Sequence, residues 1–166
     1  MAIAAIEQAD IVVIAPGDMY SSLGPLLVIN GIAKALKKTS ALCVYVSNLV
    51  TKQGQTAGFT VSDHAAEIER FVGAPFLDYV LYNEQVPTKA VAKRYKEEGA
   101  FLAKVDKNKL KKATYKSIPG NFLGEMAPSR KSQTVIPITR SLIRHDAEAV
   151  AHKLIDLYAS IRMAKD

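Results

Sequence analysis

Hydrophobic positions fall along this chain in two kinds of run. Residues 11–15 (IVVIA) and 42–46 (LCVYV) are short and continuously apolar, as buried strands are, and 78–82 (DYVLY) is apolar after its leading Asp78. Residues 2–9 and 26–37 carry apolar side chains at helical spacing, and Ser62 and Asp63 offer N-caps for a helix running through Phe71. Strands that are apolar throughout, separated by helices, predict a parallel sheet covered on both faces, an α/β architecture.

Beyond Thr88 the pattern weakens. A basic helix to about residue 98, a short strand around 101–105 and an irregular stretch containing Pro119-Gly120 and Pro128 are expected. Residues 134–138 suit a last strand. Residues 146–163 place Ala149, Val150, Leu154, Leu157, Tyr158 and Ile161 at amphipathic spacing. No internal repeat is visible, and 166 residues suit one α/β domain over 1–166.

Composition narrows the classes. With 49% hydrophobic and 23% charged residues the chain reads as globular rather than disordered. The single cysteine, Cys43, lies in an apolar run, so there is neither a disulfide framework nor a thiolate metal cluster, which suits a reducing cytoplasm. No apolar run approaches the roughly 20 residues that span a bilayer, and the opening MAIAAIEQAD carries an acid where a signal peptide carries basic residues. A cytoplasmic protein without membrane contact is expected.

The net charge of +6 is concentrated in residues 89–116, rich in lysine. Its aromatics are scattered and no nucleic-acid module accompanies them, so a solvated surface is the expectation, with nucleic-acid binding the minor alternative.

In doubly wound sheets, ligands sit beyond the carboxyl ends of the strands. The first such end reads PGDMYSSLGP. There Gly17 permits a sharp turn, Ser21 and Ser22 supply hydroxyls, and Pro25 suits the first turn of a following helix whose free amides attract an anion. Asp18 opposes this, because it repels a phosphate unless it faces sugar hydroxyls or a metal. A plain strand-to-helix connection is the alternative.

The second end, SNLVTKQGQTAG, sets Asn48, Thr51, Lys52, Gln53, Gln55 and Thr56 around Gly54 and Gly58. Amides and hydroxyls in that density can bind a base, a sugar or a carboxylate, with Lys52 adding a cation; a long solvated loop is the alternative. The third end, Tyr82-Asn83-Glu84, is short. His64 beside Asp63 and His145 beside Asp146 are sequence neighbours, which on a helix do not face each other. His145 and His152 stand about 10 Å apart along a helix, too far to share a metal. Arg144 is a candidate anion ligand at the start of the last helix, capping being the alternative.

Three motifs, in order, resemble one family. APGDMYSSLGPLLVINGIAKAL resembles the GPGSLYTSIIPNLLVxGIxxAL signature of the YvcK-like gluconeogenesis factors, whose superfamily includes the 2-phospho-L-lactate transferase CofD. NLVTKQGQT with the later SDH resembles the family's NLMTQPGET and Asp-His, and LIRHDAEAVAHKL its closing Arg-His-Asp helix. Gly17, Tyr20, Ser22, Asn48, Leu49, Thr51, Gly54, Thr56, Asp63, His64, Arg144, His145 and Asp146 match in identity, and the likeness is weakest over 90–133.

The resemblance implies a Rossmann-like fold that binds a nucleotide sugar such as UDP-N-acetylglucosamine and acts in carbon metabolism, cell-wall synthesis and cell shape without an established catalytic activity. The transferase branch instead moves a phospholactyl group from a guanosine diphosphate carrier onto a deazaflavin precursor with a divalent metal. The NLxTxxGxT pattern favours the first branch; Ser22 to Pro25, SLGP, is similar to the SIGP of the second. No cofactor is required by the first, and magnesium belongs to the second. Asp18 stands where the family has serine, Gln53 where it has proline and Gln55 where it has glutamate, which makes a metal-dependent transfer harder to support.

Family members run to about double this length and open with a glycine-rich phosphate cradle, and no GGGTG-like stretch occurs in this chain. The matched region is therefore expected to be the C-terminal half of the family fold. An exposed sheet edge would favour self-association or pairing with a complementary N-terminal half.

Overall fold

In the computed structural model, which describes residues 1–89, 92, 93, 96, 100–124 and 143–163, the three apolar runs become neighbouring strands. The described elements are α1 (Ala2–Gln8), β1 (Ile11–Ile14), a π-helical turn (Met19–Leu23), α2 (Gly24–Leu27), α3 (Ile32–Lys38), β2 (Leu42–Val46) and β3 (Val50–Thr51). They continue with α4 (Val61–Val72), β4 (Tyr79–Asn83), β5 (Phe101–Leu102), α5 (Lys107–Lys111), β6 (Lys116–Gly120) and α6 (Ala147–Met163). The chain divides into two compact units, Met1–Gly120 and Asn121–Asp166.

The first unit is built on a four-stranded parallel sheet in the order β1-β2-β4-β6. The expected α/β class with a parallel sheet and flanking helices is thus the observed one. Register pairs Val13 with Val44, Tyr45 with Val80 and Leu81 with Ile118. Asp78 sets the start of β4, its carboxylate accepting from the Cys43 amide at 2.8 Å while its own amide donates to the Cys43 carbonyl. Tyr45, Val80 and Tyr82 face α4, where Ala65, Ile68 and Val72 join them with Met19, Leu27 and Leu36 in the core. Removing an aliphatic side chain of this kind from water stabilises the fold by roughly 1.5–3 kcal/mol.

Helix α4 begins two or three residues earlier than expected. Thr60 is the N-cap: its hydroxyl oxygen accepts from the Asp63 amide, and the Asp63 carboxylate accepts from the Thr60 amide, a complete capping box. Ser62 and Asp63 therefore lie inside the helix, and Gly73 closes it in the left-handed region at φ +79°.

The helix expected over 26–37 is broken. It starts as a π-helical turn, closes as α2, and restarts as α3 only after Gly31, whose φ of +89° no continuous helix accommodates. The stretch around Pro119, expected to be irregular, is β6, pairing with β4 from Tyr79 to Asn83. An edge strand tolerates proline because its missing donor can face away from the ladder. The expected strand near 101 is β5, which pairs antiparallel with β3 in a separate two-stranded sheet. The helix expected to about residue 98 falls mostly, and the strand expected over 134–138 entirely, outside the described residues.

The second unit contains α6, within the span expected. Asp146 caps it, accepting from the Ala149 amide at 3.0 Å. An isolated antiparallel bridge joins Leu123 to His145, with the Gly124 amide donating to the Arg144 carbonyl and the Asp146 amide to the Phe122 carbonyl.

Candidate functional site

Beyond the carboxyl ends of β1 and β2 the two expected loops come together. Asn48 makes the join. Its Nδ2 donates to the Gly17 carbonyl at 2.8 Å, and its Oδ1 accepts from the Tyr45 hydroxyl at 3.0 Å. The loop after β1 is therefore tied to the end of β2 through one amide, whose orientation a fully buried tyrosine fixes. Burial pushes the Tyr45 phenol far above its ordinary value, so it stays protonated and serves as a donor.

Asp18 and Lys52 form the second link, the ammonium lying 2.5 Å from Oδ2, with both side chains well exposed. Ser21 adds a hydroxyl donor to the same carboxylate at 3.2 Å. The charge that made Asp18 awkward in an anion loop is thus balanced by a cation from the next loop.

The helix after β1 begins at Met19, not at Pro25. Its first bonds run from the Ser22 and Leu23 amides to the Asp18 carbonyl. Ser21 and Ser22 lie exposed on this turn, and the amides at its start lack intrahelical partners, as the first amides of any helix do. Gly24 lets the turn lie against α4, since a Cβ there would stand 2.7 Å from the Phe71 ring. Tyr20 is exposed and meets Phe71 edge to face, 6.1 Å between centroids.

In the second loop, Thr51 and Thr56 are buried rather than presented to solvent. The Thr51 hydroxyl donates to the Phe101 carbonyl at 3.2 Å, and the Thr56 hydroxyl oxygen accepts from the Lys52 amide at 3.0 Å. Gly54 sits at φ +77° in the tight turn these bonds close. Thr51, Gly54 and Thr56 therefore shape the loop, while Lys52 and Gln53 are its exposed polar side chains.

Gln55 Oε1 and His64 Nε2 are buried acceptors with no hydrogen-bond partner among the described residues. His64 is fully buried at the start of α4, its Nδ1–H donating to the Thr60 carbonyl at 2.9 Å. Burial holds its pKa below the usual value, so the ring is neutral. Burial works to raise the Asp63 pKa, but the Thr60 amide and hydroxyl and the Lys109 ammonium outweigh it and keep the carboxyl below its ordinary range. The Cys43 thiol is pushed up to about 11, mainly by burial and then by Asp78, which removes it as a nucleophile.

A cleft of about 140 Å³ opens beyond β2 and β4, lined by residues that include Asn48, Leu49, Asn83, Glu84, Val86 and Leu102. Ligand sites for drug-sized molecules run to roughly 300–1,000 Å³, so this cleft has room for one moiety of a larger guest. Asn83 and Glu84 carried little weight in the sequence, although the strand-end rule applies to β4 as it does to β1 and β2. Arg144 is exposed in the second unit.

The surroundings of Asp18 bear on the divalent metal that the transferase branch uses. The Asp18 carboxylate is engaged by Lys52 and Ser21, and among the described residues no three His, Cys, Asp or Glu side chains gather to hold a metal. Among the described residues no helix is long and apolar enough to cross a membrane.

Comparisons with known proteins agree with this geometry. The family described as 2-phospho-L-lactate transferase CofD matches residues 1–123. A putative gluconeogenesis factor of Clostridium acetobutylicum is 37% identical over 152 residues, covering 92% of this chain and 31% of that protein. One of Thermotoga maritima is 41% identical over 102 residues, covering 61% and 32%. A crystal structure of a Bacillus halodurans protein superposes with a TM-score of 0.80 at 31% identity, covering 93% of this chain and 45% of that one. The chain thus spans less than half the length of each of these relatives. With the β1 loop, the Asn48 loop and the capped α4 all inside the matched segment, this chain belongs to the CofD-like gluconeogenesis-factor family.

Proposed function

We propose that the chain binds a nucleotide sugar of the UDP-N-acetylglucosamine kind beyond the carboxyl ends of β1, β2 and β4, and acts as a regulator of carbon metabolism, cell wall and cell shape. The observation that carries this is the joining of the two loops by Asn48 and by the Asp18–Lys52 pair, which gathers exposed hydroxyls, an ammonium and helix-start amides on one edge of the sheet. Such a set recognises phosphate and sugar oxygens. The names of the relatives, gluconeogenesis factors, support a role in carbon metabolism.

Isothermal titration with UDP-N-acetylglucosamine, alongside UDP and GDP, tests this. Saturable binding that Lys52→Ala weakens supports the reading, and heats indistinguishable from buffer dilution with a folded chain reject it. The transferase reading draws support from the family's description. It requires magnesium to strengthen guanosine nucleotide binding, and the neutralised Asp18 leads us to expect no such effect.

A further inference from the structure

Two contacts tie the turn after β1 to helix α4, one on each side of its serines. Tyr20 meets the Phe71 ring edge to face, with 67° between the planes. Gly24 approaches the same ring so closely that a Cβ there would stand 2.7 Å from it. Ser21 and Ser22 lie exposed between these two points. The turn that carries them is π-helical, an uncommon form that neighbouring contacts have to hold.

Phe71 does not act alone. Arg70 and Phe71 follow Glu67 by three and four residues on α4, so both lie beside it on the helix surface. Arg70 Nε and Nη2 donate to the two Glu67 carboxylate oxygens at 2.7 Å each, and the guanidinium carbon lies 4.8 Å from the Phe71 ring centre. The Tyr20 hydroxyl bonds to the same carboxylate. The Arg70 fork, opposed by burial and joined by the Tyr20 hydroxyl, keeps Glu67 below the ordinary carboxylate range, so it is a charged acceptor at neutral pH.

The Arg70 side chain is 63% exposed, and an ion pair open to solvent contributes little to stability. Its effect is geometric. A two-point fork leaves the Glu67 carboxylate one orientation, and in that orientation it faces Tyr20. On the other flank the loop is held by the Asn48 bond to the Gly17 carbonyl.

We propose that Glu67 is a positioning residue for the guest site: it holds the Tyr20 hydroxyl, and through Tyr20 it sets the turn whose exposed serines and helix-start amides meet the guest. Tyr20 is then an anchor of the turn rather than a contact of the guest. The identity of the guest rests on the nucleotide-sugar reading above; the hold on the turn does not.

Glu67→Ala, Glu67→Gln, Tyr20→Phe and the double variant of Glu67→Ala with Tyr20→Phe test this through two readouts. The first is hydrogen exchange at the Ser22 and Leu23 amides, which close the turn on the Asp18 carbonyl. Glu67→Ala and Tyr20→Phe should each speed it roughly tenfold, while Glu67→Gln, which keeps an acceptor for the phenol, stays within about twofold of the unaltered chain. The second is titration with UDP-N-acetylglucosamine. Glu67→Ala and Tyr20→Phe should each raise Kd roughly fivefold by lowering the share of chains with the turn in place, and the double variant should bind no more weakly than either. Tyr20→Phe keeps the ring on Phe71 and carries the test where Glu67→Ala does not fold.

Unchanged exchange in a folded Glu67→Ala or Tyr20→Phe chain, or Glu67→Gln exchanging like Glu67→Ala, would overturn the proposal. Faster exchange with an unchanged Kd would make the contact structural only, and losses that add in the double variant would put the phenol on the guest; either overturns it as well. If the unaltered chain binds no nucleotide sugar, that reading fails, and exchange alone decides whether Glu67 holds the turn.

Discussion

Replacing Asn48 by alanine removes the amide that joins the two loops, and its cost can be worked from the contacts. The bonds to the Gly17 carbonyl at 2.8 Å and from the Tyr45 hydroxyl at 3.0 Å contribute about 1 kcal/mol each. Tyr45 is fully buried, so its hydroxyl proton loses an acceptor that water cannot replace, a penalty of roughly 1–3 kcal/mol. Asn48→Ala is therefore expected to destabilise the chain by about 2–4 kcal/mol, lowering a urea midpoint by roughly 1–2 M for a protein of this size. Tyr45→Phe removes the same tyrosine bond but leaves only the half-exposed Asn48 amide, which water can satisfy, so its cost is about 1 kcal/mol. The double variant should cost less than the two singles together by about 1 kcal/mol, the coupling of the shared bond. Urea unfolding followed by circular dichroism measures all four proteins. A cost below about 0.5 kcal/mol for Asn48→Ala, or zero coupling with Tyr45→Phe, would refute the linkage.

Gly24→Ala should cost about 1–3 kcal/mol, because its methyl would stand 2.7 Å from the Phe71 ring; an unchanged melting temperature in calorimetry would remove the close approach of turn and helix. His64 is buried and neutral with its pKa below the ordinary 6.5, so the unfolded chain takes up its proton first. That part of the stability is whole above about pH 6.5 and declines as pH falls toward the folded value, and His64→Gln should flatten the slope of the urea midpoint between pH 7.5 and 5.5. Asp18→Asn should leave stability within about 0.5 kcal/mol, since the Lys52 pair is exposed, yet tighten nucleotide diphosphate binding by releasing the ammonium; weaker binding by titration would mean that Asp18 itself contacts the guest.

The strands that read clearly in the sequence are β1, β2 and β4, because each carries a run of at least four apolar residues; burial in the middle of the sheet writes that run in β2 and β4, whereas edge strand β1 is apolar throughout without a fully buried residue. Strand β6 did not read as a strand, since an edge position permits Lys116, Ser117 and Pro119, and that composition also describes a loop. The bend between α2 and α3 had a local signal in Asn30-Gly31, but apolar spacing on either side of it suggests one helix; only the left-handed Gly31 separates them. The capping box was present as Thr60-x-x-Asp63, and taking the cap two or three residues too late amounts to reading the box from its second member. The pairing of β3 with β5 joins residues about fifty positions apart, and no local pattern encodes that.

The site was legible as a list of polar residues but not as a distribution of charge. Asp18 alone looks hostile to an anion, and the lysine-rich segment alone looks like a polyanion surface. In the fold the acids on the carboxyl side of the sheet meet lysines from distant segments: Asp18 meets Lys52, Asp63 meets Lys109 at 3.1 Å and Glu84 meets Lys107 at 2.9 Å. Each pair is exposed and contributes little to stability, but each cancels a charge where a guest would enter. Two lysines of the basic segment, Lys107 and Lys109, are spent on these pairs. Recognition there then rests mainly on hydrogen bonds from amides and hydroxyls, which salt screens weakly, with Lys52 as the one cation added to them among the described loop residues. A nucleotide sugar bound at this edge should then lose only a small part of its affinity between 50 and 500 mM salt, whereas binding through a run of lysines would fall by orders of magnitude over the same range.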